Sequence, residues 1–164
     1  MGKKYKYFLA GVYTIVNEGE KEKERYALSD ISIFTDTDRL FLPIFKSGCH
    51  WALIMIMMKE KKVMHYDSLH WGGEATYRTI MKWLTAGASH HGIDDFSPDE
   101  WSFVDMREKV PKQPNSNDCA IYTMMFADYL SDDLEFTFSA DVFNFFREKI
   151  AADIIRGRLT YSNW

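Results

Sequence analysis

Hydrophobic and polar positions along the chain switch between strand-like and helix-like patterns. Residues 50–58, HWALIMIMM, are continuously apolar after the first, which predicts a strand covered on both faces. The preceding run DRLFLPIF (38–45) predicts a strand ending near Pro43, because proline cannot donate to a ladder. KEKK (59–62) predicts a polar turn and VMHYDSL (63–69) a second strand, so the two pair as a hairpin that ends at Gly72 and Gly73. Further on, Tyr77, Ile80, Met81 and Leu84 recur at i, i+3, i+4 and i+7, one face of a helix with Gly87 as its stop. An acidic loop, IDDFSPDE (93–100), leads into WSFVDMREKV (101–110), which reads as another strand. A helix is predicted from about Asp118 to Leu130. A last helix is predicted with Ser139 as its cap, Val142, Phe146, Ile150 and Ile154 on one face, and Gly157 just past its end. This order predicts an α+β domain, a small sheet packed by helices.

Composition narrows the class. The chain has 164 residues, 46% of them hydrophobic and 16% aromatic, enough for one domain with a real core. A net charge of −4, from 20 basic and 24 acidic residues, gives no electrostatic reason to expect nucleic acid. Two cysteines are too few for a disulfide framework and suit a reducing compartment. No apolar run reaches the roughly 18–20 residues of a membrane span. The start, from Met1 to Tyr5, has no small-residue cleavage pattern, and Lys6 stands where a myristoylation signal needs Ser or Thr. EGEKEKER (18–25) reads as a solvated helix face or loop. The expectation is a monomer of the nucleus or cytoplasm, with a secreted effector acting inside a host cell left open. It should need no membrane, and no metal or cofactor either, since the histidines and cysteines show no zinc spacing.

Candidate chemistry centres on PKQPNSNDCAIYTMMFADYL (111–130). Asn115, Ser116, Asn117 and Asp118 are turn and cap residues, so Cys119 falls in the first turn of a helix. Unpaired N–H groups and the positive end of the helix dipole lie there, and both favour thiolate over thiol. On this stretch alone a buried packing cysteine is an equal reading. A nucleophilic cysteine needs a base, and the base an orienting partner. Of five histidines, His50 opens one strand of the predicted hairpin and Asp67 lies near the open end of the other. The two can face each other across the pair. His65, two residues from Asp67, stays open as an alternative. His90 and His91 read as solvated loop residues.

Three separated blocks carry a family resemblance: HW at 50–51, YDSL at 66–69 and QPNSNDCAIY at 113–122. In this order they resemble the ubiquitin-like-modifier-specific cysteine proteases, the sentrin/SUMO protease family, and DRLFLPIF resembles the strand before that family's histidine. The resemblance implies an adenain-like (adenovirus-protease-like), papain-related fold and cleavage after the C-terminal Gly-Gly of a ubiquitin-like modifier, SUMO above all, in deconjugation or precursor processing. It implies that Cys119 is the nucleophile, His50 the base that later turns acid, Asp67 the orienting acid and Gln113 the oxyanion-hole residue. Trp51 would cover the narrow channel that takes the Gly-Gly tail. Asn115 and Asp118 would join the substrate side of the site by shaping and capping the loop.

The chain departs from the family pattern at two places. Ala120 stands where the family has Gly after the nucleophile, so its methyl group could crowd the approaching carbonyl. Residues 1–37 lack the family's tryptophan-containing segment, since no Trp precedes Trp51, so residues 1–164 read as one catalytic domain shortened at its N-terminal part. Three alternatives stay open: an acyltransferase on the same fold, a polyprotein protease, or an inactive pseudo-protease that only binds the modifier.

Overall fold

The computed structural model describes residues 4–7 and 30–157. The expectations for the charged run 18–25 and for most of the N-terminal segment lie outside the described residues.

Among the described residues, five strands form one sheet in the spatial order of the chain: β1 (Tyr5–Tyr7), β2 (Arg39–Lys46), β3 (His50–Met57), β4 (Lys62–Tyr66) and β5 (Ser102–Asp105). The outer pairs are parallel and the two central pairs antiparallel, so the sheet is mixed. The helices of the described residues are a single turn, α1 (Ser32–Thr35), then α2 (Glu74–His90), α3 (Cys119–Ser131) and α4 (Phe143–Arg156). The predicted α+β class is the one observed.

The apolar run of β3 has a direct cause. Ala52, Ile54 and Ile56 pack with Leu40, Leu42 and Ile44 of β2 against Ile80, Met81, Trp83 and Leu84 of α2. The alternate residues, Leu53 and Met55, pack with Phe41 and Tyr66 against Ile121, Tyr122, Met125 and Phe126 of α3 and against Phe143 and Phe146 of α4. Each face of the strand meets its own helix layer, so no position between residues 52 and 56 is left for a polar side chain.

Several boundaries differ from the expectation. Pro43 does not end β2: the strand continues to Lys46, with Pro43 opposite Leu53. Its other neighbour, β1, pairs only as far as Phe41, so at Pro43 the outer edge of β2 has no described partner and the missing N–H goes unneeded. Gly87 does not end α2, because it is buried in the helix; the chain turns at His91 and Gly92, the latter at φ +65°. His90 therefore closes a helix instead of lying in a loop. The strand at 101–110 is only four residues long and gives way to a 3-10 turn at Arg107–Lys109. The α4 cap is Val142, the last residue of a 3-10 turn, while the Ser139 hydroxyl bonds Asp141. Ile154 is 74% exposed and leaves the predicted core face, although Gly157 does end the helix in the left-handed conformation.

Candidate active site

The site lies at the end of the sheet where β3 begins. His50 is its first residue, and β4 ends at Tyr66, so Asp67 sits just past the strand and not within it. Nε2 of His50 lies 2.8 Å from Oδ1 of Asp67 and both side chains are buried. The Leu69 N–H bonds the same oxygen at 2.8 Å. Burial alone would push the Asp67 carboxyl up, but the hydrogen bond and charge of His50, the Leu69 N–H and Lys46 outweigh it and hold it below the usual carboxylate value. Asp67 therefore stays charged and accepts a hydrogen bond from the Nε2–H of His50, while Nδ1 of His50 is buried with no hydrogen-bond partner among the described residues.

Cys119 is the first residue of α3 and is buried. The first bond of the helix runs from the Tyr122 N–H to the Asp118 carbonyl, at 3.0 Å. The N–H groups of the first turn, from Cys119 to Ile121, are the ones a helix leaves without an internal acceptor. α3 packs on β3, the strand that carries His50.

The loop before α3 is built from side chains. Oδ1 of Asn115 accepts the N–H groups of Asn117 (2.9 Å) and Asp118 (3.1 Å), and its amide donates to Oδ2 of Asp118 at 2.6 Å. Asp118 occupies the cap position, yet its carboxylate makes no capping bond to the helix. It is taken instead by Asn115 and by Arg147 of α4, a correction to the expected capping role with a plain cause: a cation and an amide compete for the same oxygens. Gln113 is buried and held at three points. Its N–H bonds the Ser68 carbonyl at 2.9 Å, its Oε1 accepts from the Ser68 hydroxyl at 2.5 Å, and its amide donates to the Asn115 carbonyl. Because Ser68 follows Asp67, these bonds tie the Gln113 loop to the His50–Asp67 pair.

A model of the Ulp1 protease family, C-terminal catalytic domain, matches residues 12–159. The chain belongs to that family. It is 28% identical over 123 residues to ubiquitin-like-specific protease ESD4 of Arabidopsis thaliana, covering 75% of this chain and 25% of that protein. It is 27% identical over 121 residues to sentrin-specific protease 2 of Homo sapiens, covering 73% of this chain and 20% of that protein. The chain thus spans a quarter or less of the length of these two relatives. Among solved structures, the C-terminal Ulp1 protease domain in complex with Smt3, the yeast ortholog of SUMO, superposes with a TM-score of 0.74 at 26% identity, over 93% of this chain and 68% of that one.

Within this member of the Ulp1 family, the residues expected from sequence fall into two connected groups, His50 with Asp67 and Gln113 with Asn115 and Asp118, and Cys119 follows directly on the second. Trp51 stands apart. It pairs with Phe45 across β2 and β3, ring centroids 4.8 Å apart, on the strand side opposite His50. The ring that packs on His50 is Trp71, at 4.7 Å between centroids and 42% exposed. Trp71, Ser68 and Lys46 escaped the sequence reading because each reaches the site through a turn or a register that no periodicity displays. His65, the alternative base, is fully buried, and its Nε2 lies 3.8 Å from Oδ2 of Asp67, beyond hydrogen-bond range. Burial, with Lys46 beside it, pushes its pKa down to about 4. Gly73 explains its fixed place: a Cβ there would stand 2.5 Å from Cγ of His65.

Proposed function

We propose that this chain is a thiol protease domain that cleaves after the C-terminal Gly-Gly of a ubiquitin-like modifier of the SUMO class. The observation that carries the proposal is the buried His50–Asp67 bond, with Nδ1 of His50 holding no hydrogen bond among the described residues; in this reading that nitrogen exchanges a proton with the Cys119 thiol. The family supports the chemistry, and the Ulp1 domain solved with Smt3 supports the choice of modifier.

In this reading the Cys119 thiolate attacks the carbonyl carbon of the terminal glycine. The oxyanion that forms is met by the first-turn N–H groups of α3 and by the remaining amide N–H of Gln113. Imidazolium His50 gives its proton to the departing amine, the C–N bond breaks and a thioester remains. His50 then takes a proton from water as the oxygen attacks the thioester, and the thiolate leaves with the modifier's carboxylate free. Asp67 keeps the imidazole in one tautomer throughout, and Asn115 and Asp118 hold the loop that carries Gln113. The reading takes residues 1–164 as one catalytic domain.

The test is a panel of ubiquitin-like modifiers with an electrophilic group in place of the C-terminal carboxylate. A covalent adduct with the SUMO probe, absent in Cys119→Ala, is the expected result. Adducts with ubiquitin alone would overturn the choice of modifier. Labelling by acetyl-CoA with no modifier adduct would point to a transferase, and tight SUMO binding without adduct or turnover to a pseudo-protease.

A further inference from the structure

Lys46 and His50 are partners across the β2–β3 ladder, joined by a tight turn in which Ser47 and Gly48 take φ of 53° and 68°. Directly opposed residues share one face of a sheet, so the lysine side chain starts on the same side as the imidazole. It ends on Asp67. Nζ lies 3.4 Å from Oδ2, while His50 occupies Oδ1. The same ammonium is 3.3 Å from the Gly72 carbonyl, which it can donate to, and 6.0 Å from the centre of the Trp71 ring. Trp71 in turn packs on His50. The Lys46 side chain is 14% exposed, and no step of the reaction above uses it.

The charged and titratable groups around Asp67 come from every neighbouring strand: Lys46 from β2, His50 from β3 and His65 from β4. Behind them, Asp105 of β5 lies 3.8 Å from Nδ1 of His65 and pairs at 2.7 Å with Arg107, which also stands 3.6 Å from Glu74 at the start of α2. Lys46 is also 3.5 Å from Nε2 of His65. One carboxylate therefore serves the lysine on one oxygen and the imidazole of His50 on the other. A cation there reduces the negative field that His50 feels, and its removal makes protonation easier for every group around it.

We propose that Lys46 is a positioning residue: its charge on the second oxygen of Asp67 sets the pH range in which the His50–Cys119 pair reacts, and its contact with Gly72 keeps Trp71 against His50. The proposal rests on the roles given to His50 and Cys119 above.

Two profiles against pH test it: the rate of Cys119 alkylation by iodoacetamide, which needs no modifier, and kcat/KM for a SUMO carrying a fluorogenic C-terminal amide. Both are measured in wild type, Lys46→Met, Lys46→Gln and Lys46→Arg, with His50→Ala as control. Two neutral variants keep the test open should one fail to fold. Both neutral variants are expected to shift the two profiles to higher pH, by up to about one unit, the low end of the effect of a charge in direct contact, because Lys46 acts through Asp67. Lys46→Arg keeps the charge, and its profile should coincide with wild type whatever its rate. With Lys46 gone, His65 can take up a proton and stand in for the lost charge at low pH, so Lys46→Met with His65→Gln should shift at least as far as Lys46→Met alone. Unshifted neutral variants beside an altered His50→Ala profile would overturn the role of Lys46 alone. An Arg variant shifted as far as Met would do the same, because charge would not be the cause. A His50→Ala profile identical to wild type would overturn the active-site reading itself, and this proposal with it.

Discussion

Nε2 of His50 and Oδ1 of Asp67 are 2.8 Å apart with both side chains sealed from solvent, so the imidazole has one tautomer available while Asp67 is charged. Asp67→Asn keeps the shape and removes the charge, and its amide can present a donor where the imidazole also has one. kcat/KM toward a SUMO amide substrate is expected to fall roughly 10²–10⁴-fold, with SUMO affinity nearly unchanged. A loss below tenfold would take the orienting role away from Asp67.

Ser68 gives Gln113 its orientation, because its hydroxyl donates to Oε1 and its carbonyl accepts the Gln113 N–H. Ser68→Ala strands a buried amide oxygen, so stability should drop by about 1–3 kcal/mol. Acylation measured in a single turnover should slow by about tenfold or more as the amide loses its aim. Gln113→Ala should slow the same step further while SUMO affinity holds. If Gln113→Ala instead weakened binding and left acylation intact, Gln113 would be a substrate contact and not an oxyanion donor.

His65 links folding to pH. Its pKa is pushed from 6.5 down to about 4 by burial, with Lys46 adding to it. A lowered pKa means that between those values the unfolded chain binds a proton the folded chain refuses, so stability falls as pH drops through that window. At roughly 1.4 kcal/mol per unit, the loss is about 3 kcal/mol. Urea melts at pH 7 and pH 4.5 should show it, and His65→Gln should flatten the dependence over that range. Asp67, whose pKa is lowered, acts in a separate window: its contribution is present above 3.8 and lost as pH falls below it. An equal pH 7 to 4.5 loss in His65→Gln would assign the effect elsewhere.

The legible parts of the chain are those where pattern and packing agree. HWALIMIMM reads as a doubly covered strand because α2 and α3 do cover its two faces. The histidine–aspartate pair is legible because a hairpin brings the ends of neighbouring strands together. What stays hidden depends on three-dimensional return. Pro43 looks like a stop, but it faces an edge with no described partner, which one strand's sequence does not reveal. Gly87 looks like a helix end, yet it is buried within α2. Lys46 reaches a carboxylate 21 positions away, and Trp71 folds back from the turn after β4; both follow from register and loop path.

Ala120 is the departure whose effect the structure makes measurable. It is the second residue of α3, half-buried, next to the thiol and among the first-turn N–H groups proposed to meet the oxyanion. Ala120→Gly removes a methyl group from that space and also a good helix former, at a cost of up to about 1 kcal/mol in stability. The two effects are separable. The melting temperature should fall slightly, while the rate of acylation by a SUMO substrate should stay equal or rise, since the carbonyl gains room at no loss of donors. A marked fall in acylation, with folding intact at the assay temperature, would show that the methyl group supports the helix start more than it obstructs the substrate. In that case Ala120 would hold the N–H groups in place, and the thiol would depend on a rigidity that glycine in this position does not supply.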